Sequence, residues 1–571
     1  MKTRRNICAE ISDSLSECIR SIYPHIEEFN SPPVSQISDS TFGDYMSNIA
    51  FLLSKILKQK PIDIANKIAK EFKGNADAEP ANPGFINFKI KRERLCENLE
   101  ETRVSSWSSS NIGAGTKVNI EFVSANPTGD LHIGHGRGAV IGDTLARLFA
   151  NAGFSVTREY YVNDIGKQID ALGESLLSAI HKKNGIESPY SATYKVEELV
   201  DEYLNLNKEP SSERNREDIC RAADFAKERL LSKIMKLLKR LDISFDSVVR
   251  ESSFIGAIPD LINELKKKDL IYEADEPEIE KEKKRRADSK SAIHRDSMEG
   301  GTFLRTGKFG DETDRIILRR SGAATYFTTD IIYHRDKLFR GYERLVNVWG
   351  ADHAGHVIRL KAAMKALSLP AEKLEVVLCQ MVRLIRGGTE VKMSKRAGTV
   401  VLLEELIDEV GGDPVRFFFL SRSASAQFDF DLDLAVKKSS DNPVFYCQYA
   451  HARTCQLLAN GRENGIEPSN KNLHLLKDET ELEIMRKLIA IPDSVQTAAI
   501  KLEPHRLVEI STSLSESLHR YQTAGKENSD LRVVTSDKKE LSSARLYLVE
   551  SVGYALRKLF GLMGINAPEK M

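Results

Sequence analysis

The chain has no run of eighteen apolar residues, so no segment of it reads as a membrane-spanning helix. It has no excess of either charge, since 83 Lys and Arg balance 83 Asp and Glu. A global positive field for nucleic acid is thereby excluded. Any such contact falls to local patches such as Lys2 to Arg5, Lys89 to Arg94 or Lys281 to Arg286, each of which also reads as ordinary solvated surface. Paired cysteines are missing too. Cys8, Cys18, Cys96, Cys220, Cys379, Cys447 and Cys455 are odd in number and scattered, with no CxxC, which argues against a disulfide framework and a structural zinc site. The basic start is followed by no apolar signal region. The expectation is a cytoplasmic protein with reduced thiols, no resident metal, and neither membrane nor DNA as partner.

What is present is enough chain, 571 residues, for three or four cores. Residues 1–113 read as an α+β unit: helical patterns at Ile7 to Ile22 and Asn48 to Phe72, broken at Pro61, then strand alternation at Phe85 to Ile90. Ser105 to Gly115 reads as a Ser/Gly linker. In residues 114–440, buried-strand runs at Val118 to Val123, Leu345 to Trp349 and Val376 to Leu378 alternate with amphipathic helices. The fold class expected is therefore α/β with a parallel sheet. Helical insertions are expected at about 170–250 and 275–300, the second holding the charged run Asp275 to Asp296. Residues 441–571 read as an all-α bundle. Leu507, Ile510, Leu514, Leu518 and Tyr521 share one helix face, and Leu548, Val552, Leu556, Leu559 and Met563 share another.

Four segments carry chemistry. In Val118 to His135 an apolar run enters the turn Asn126-Pro127-Thr128-Gly129, and His132 and His135 follow at the start of a helical pattern. Free N–H groups and the dipole of that helix suit an anion, and Gly134 and Gly136 would let a nucleotide approach the backbone. An H-x-x-H taken alone also fits a metal site or a core. Gly387 to Thr399 is a glycine-bounded basic loop, whose Lys392 and Lys395 could reach phosphates and whose glycines would let it close and reopen; a solvated hairpin is the plainer reading. Val348 to His356 places Gly350 and Asp352 after an apolar strand, where a base or ribose could pack, with His353 and His356 beside them. Ala323 to Asp330 holds Tyr326 and Asp330 four apart, on one face if helical. A carboxylate there matches a planar guanidinium.

The histidine and lysine segments together resemble the two signature motifs of class I aminoacyl-tRNA synthetases. The sequences around them resemble the arginyl-tRNA synthetases. Supporting stretches are Tyr160 to Gln168, Phe428 to Ala435, Asp441 to Arg453 and the ending Leu562 to Met571. The resemblance implies a Rossmann-type catalytic domain between an N-terminal domain that touches the tRNA elbow and an α-helical anticodon-binding bundle. It implies catalysis by His132, His135, Lys392 and Lys395, and ATP binding by Gly134, Gly136, Gly350, Asp352 and Ser394. Arginine binding is implied for Glu121, Asn126, His132, Tyr326 and Asp330, and tRNA binding for Phe85, Asn87, Tyr449 and Met571. ATP and Mg²⁺, L-arginine and arginine tRNA are the implied ligands of a monomer. Arg396 stands where the family's loop has Ser. Two other readings are a class I synthetase for glutamate, cysteine or lysine, and a non-catalytic RNA-binding paralogue. The cysteine enzyme would need zinc ligands, and the paralogue would be expected to have lost His132, His135 or Lys395.

Overall fold

The computed structural model describes residues 6–26, 31–37, 40–275, 300–391 and 401–571. They form two compact units: residues 1–114, 147–153 and 436–571 in one, and 115–146 and 154–435 in the other.

The second unit is built on a five-stranded sheet. In chain order its elements are β1 (Lys117–Glu121), α1 (Ile133–Asn151), β2 (Ser155–Val162), β3 (Ser247–Arg250), α2 (Tyr326–Phe339), β4 (Arg344–Gly350), α3 (Ala354–Ala366) and β5 (Leu374–Cys379). The strand order is β5-β4-β1-β2-β3 and every pairing is parallel. Burial on both faces explains why β1, β4 and β5 read as nearly continuous apolar runs. The 170–250 region does hold helices, at Lys167–Lys183, Val200–Leu206 and Arg216–Lys239, but it ends in β3, an edge strand of the main sheet. A three-stranded antiparallel sheet, Ile271–Ala274, Gly301–Leu304 and Arg315–Arg319, was not foreseen; its strands are too short to show a period. The charged run beyond Asp275 lies outside the described residues.

In the first unit the helix Ile7–Ile22 has the expected bounds, with Asn6 accepting from Ala9 N at its start. The Asn48 to Phe72 pattern is two helices, Ile49–Leu57 and Pro61–Glu71, the second with Pro61 in its first turn. The strand Phe85–Ile90 sits inside a four-stranded antiparallel sheet. It buries Ile86, Phe88 and Ile90 and turns Phe85 and Asn87 to the opposite face. Ser105 to Gly115 is no free linker: Trp107 is buried and its Nε1 donates to Asn98 Oδ1 at 3.2 Å. Four long helices, Pro443–Glu463, Glu479–Ile500, Arg506–Glu527 and Lys539–Met563, complete the unit. Both predicted faces pack inward, apart from half-buried Ile510.

Candidate active site

In the sheet, β1 leads through α1 to β2 on one side, while β4 leads through α3 to β5 on the other. The chain therefore parts at the carboxyl ends of β1 and β4, where open parallel sheets bind ligands. Both phosphate-facing candidates stand there. After β1 the backbone passes through Val123 and Ser124 at φ 69° and 39°, conformations that L-residues seldom adopt. It then turns at Asn126 to Gly129 and enters α1.

The rings of His132 and His135 stack, with centroids 3.6 Å apart. His132 Nδ1 accepts from the N–H of Gly134 (3.1 Å) and of His135 (3.4 Å), and His135 Nδ1 accepts from His132 N (3.4 Å). With both Nδ1 atoms accepting, the proton of each neutral ring sits on Nε2. Burial lowers the pKa of His132 despite the facing Asp352 carboxylate; burial and the neighbouring His132 bring His135 down to about 4. At neutral pH the pair is thus two uncharged N–H donors.

This corrects two expectations. The first-turn amides of α1 are not free: Ile133 N donates to Val401 O, Gly134 N and His135 N to the His132 ring, and Gly136 N to His132 O. The histidine side chains, rather than the backbone, are left to meet an anion. Gly136 does not face a nucleotide either. It is buried, and a Cβ there would lie 2.5 Å from Leu403 Cδ1, so packing accounts for the missing side chain. A Cβ on Gly134 would press on the His132 ring at 3.0 Å, and one on Gly350 would meet Asp352 Oδ1 at 2.4 Å. These two glycines make room for the polar groups beside them. Gly387 and Gly388, at φ 56° and 75°, form the tight turn between the strands Val382–Arg386 and Thr389–Glu390. They close a hairpin that leads into the basic segment. Lys392, Ser394, Lys395 and Arg396 lie outside the described residues.

The second cluster is acidic. Tyr326 and Asp330 occupy the first and second turns of α2, as their spacing predicts for a helix. Tyr326 is half exposed and Asp330 half buried. Asp330 Oδ2 accepts from His356 Nε2 at 2.8 Å. Beside it lies Glu251, 3% exposed, which accepts from Thr329 Oγ1 at 2.7 Å. The Asn163 amide, oriented by its acceptors, donates to Glu251 Oε2 at 3.1 Å. Burial, reinforced by Asp330 and Asp164, pushes the Glu251 carboxyl up to about 7 even though Thr329 stabilises its ionised form. Among the described residues no Lys or Arg forms an ion pair with Glu251 or Asp330. Two carboxyls held close together without a Lys or Arg partner concentrate negative charge at this end of α2. Nothing in the sequence near Glu251 marked it, because its partners are 78 and 88 residues away.

Glu121 was expected beside the substrate. Its carboxylate is held by two donors: Lys337 Nζ of α2, fully buried, donates to Oε2 at 2.7 Å, and Ser124 Oγ to Oε1 at 3.1 Å. Lys337 thus balances its charge within the fold, while Glu121, Asp330 and Glu251 all act on Tyr161. Asn126 donates to Gln168 Oε1 at 2.7 Å near the mouth of the cleft.

In the first unit, Phe85 is half buried and edge-on to Phe51 (5.0 Å), on the sheet face away from the core, with Asn87 two residues along. Tyr449 is 40% exposed and lies flat beside Phe445 and His519. Gln448 donates to Asn566 O (3.0 Å), and His451 Nδ1 lies 2.8 Å from Pro568 O. The tail ending in exposed Met571 is thus tied to the helix that bears Tyr449.

Three family models match the chain: the arginyl tRNA synthetase N terminal domain over residues 7–90, the tRNA synthetases class I (R) catalytic domain over 102–414, and the DALR anticodon binding domain over 447–571. The arginine–tRNA ligase of Moorella thermoacetica is 38% identical, covering 100% of this chain and 99% of its own. That of Bacillus subtilis is also 38% identical, covering 99% and 100%. The solved Thermus thermophilus arginyl-tRNA synthetase shares the fold, with a TM-score of 0.73 at 20% identity over 99% of this chain and 100% of that one.

Proposed function

Since the chain belongs to the arginyl-tRNA synthetase family, we propose how its residues divide the work of that reaction. The chain is an ATP-dependent ligase that joins L-arginine to arginine tRNA. The arginine carboxylate attacks the α-phosphorus of ATP, forming arginyl-adenylate as the bond to pyrophosphate breaks. A terminal ribose hydroxyl of the tRNA then attacks the acyl carbon, and AMP leaves. No protein nucleophile is required; positioning and charge stabilisation carry the rate.

In our reading the guanidinium enters between Asp330 and Glu251, with Tyr326 at the mouth. Asn126 meets the α-amino and carboxylate end. His132 and His135 donate from Nε2 to the phosphate oxygens, most strongly as charge builds in the transition state. Asp352, in the space that Gly350 leaves, accepts from the adenosine ribose. Lys392 and Lys395 offset charge on departing pyrophosphate, with Ser394 beside them. A Mg²⁺ ion that accompanies ATP would keep phosphates and water as its ligands, needing few from the protein. Bound there, it would neutralise part of the triphosphate charge. Phe85 and Asn87 are our candidates for a base at the tRNA elbow, and Tyr449 and Met571 for the anticodon loop. We read the protein as a cytoplasmic monomer. No described helix is long and apolar enough to cross a membrane.

The observation that supports the substrate assignment is the buried Glu251 beside the half-buried Asp330, neither of them paired with a Lys or Arg among the described residues. A neutral isostere such as citrulline would leave both carboxyls unmatched, and discrimination of roughly 10⁴–10⁵ is attainable from such a site without editing. Aminoacylation of total tRNA with each amino acid in turn tests it. Arginine alone should be attached; attachment of another amino acid in its place would overturn the assignment.

A further inference from the structure

His356 stands on α3, 26 residues beyond Asp330, and its Nε2 is 2.8 Å from Asp330 Oδ2. Its ring is walled by Trp349 (5.4 Å between centroids) and by Phe327, edge-on at 5.9 Å. A second histidine fixes the same aspartate from behind. Asn347 Nδ2 lies 2.8 Å from His334 Nε2 and donates to it, so the His334 proton is on Nδ1, which donates to the Asp330 backbone carbonyl at 2.8 Å. Asp330 is thus gripped at the carbonyl by one imidazole and at one carboxylate oxygen by another. Among the described residues no further hydrogen bond reaches its carboxylate.

On the assignment of Asp330 to the arginine pocket, we propose that His356 is a positioning residue for arginine recognition: by occupying Oδ2 it sets the plane of the Asp330 carboxylate and leaves Oδ1 to the substrate guanidinium. A carboxylate free to rotate on its helix would offer the guanidinium either oxygen in many orientations. One oxygen held by a ring that is itself wedged between two aromatic walls offers a single orientation, so less freedom is lost when the substrate binds. The bond to His356 acts on the Asp330 carboxylate, and its loss falls on KM for arginine.

Aminoacylation kinetics of H356A, H356Q and D330A, alone and combined, test this. H356A should raise KM for arginine about tenfold, the value of one hydrogen bond to a charged group, with kcat within about threefold and KM for ATP unchanged. H356Q, whose amide can donate from the position of Nε2, should restore KM to within about threefold. In the D330A background, H356A should add nothing. Should H356A fail to fold, H356F fills the space between Trp349 and Phe327 without a donor, and the same rise in KM is expected of it. An arginine KM unchanged in H356A or H356F, a KM for ATP raised equally, or full additivity with D330A would each overturn the proposal. An unchanged arginine KM in D330A itself would remove Asp330 from the pocket, a separate failure of the underlying assignment.

Discussion

At the scale of single residues, the site is a set of charges brought to different settings by their surroundings. Glu121 and Glu159 lie on neighbouring parallel strands and are both buried. Glu159 is matched: burial would raise its pKa, but Arg340 and Lys337 outweigh that and hold it down at about 2. Glu121 is matched by Lys337. Glu251 has no such partner and stays near neutrality. The sign of the consequence follows. A carboxyl whose folded pKa is raised from 4.5 to about 7 favours the fold below pH 4.5, and that contribution is lost as pH rises through 7. A bound cation reverses the preference, since it favours the ionised form. KM for arginine should therefore rise about tenfold as pH is lowered from about 8 to 6, in step with protonation of Glu251. The E251Q variant should lose most of that dependence, along with affinity. A pH profile for E251Q parallel to the parent's would assign the titration to another group.

At the scale of elements, the helix that carries the histidine motif shows how one motif can serve two purposes. Its histidines stack on each other at its first turn, while Gly136 lets α1 approach the helix Leu403–Val410. Gly136→Ala should therefore act on packing: the new methyl meets Leu403 at 2.5 Å, an overpacking cost of about 1–3 kcal/mol. The expected result is a lowered Tm with KM for ATP within about twofold of the parent. A large rise in KM for ATP at an unchanged Tm would return Gly136 to the nucleotide site. The same scale explains what was legible. The helix Ile7–Ile22 and the pair Tyr326 and Asp330 depend on a 3.6-residue repeat and a spacing of four, both of which are local. Strand β3 is four residues long with one side chain exposed at Val248, and shows no such repeat.

At the scale of the whole molecule, the chain forms two compact units. The candidates for arginine and ATP all stand in the second, and those for tRNA in the first. Substitutions should separate accordingly. Phe85→Ala should raise KM for tRNA about tenfold, on the order of 1–3 kcal/mol for one lost base stack, while KM for arginine stays within twofold. Equal rises in both would mean that Phe85 supports the fold instead of the tRNA. Zero net charge is consistent with such local recognition.

The sequence alone determined the fold class and the family, and it supplied the candidates for the site. Strand runs, helix periods and the short motifs around His132, Gly350 and Tyr326 are all written within a few neighbouring positions. The tertiary structure alone decided which charges are paired within the fold and which are not. Lys337 cancels Glu121 across 216 residues, Thr329, the neighbour of Asp330, reaches Glu251 across 78, and His356 takes one oxygen of Asp330 across 26. The distinction between a buried carboxylate that is paired and one that awaits a cation depends on contacts that no local pattern records. Four ångströms in space can separate groups two hundred residues apart in the chain, and over that distance electrostatics, rather than propensity, sets the role of a residue.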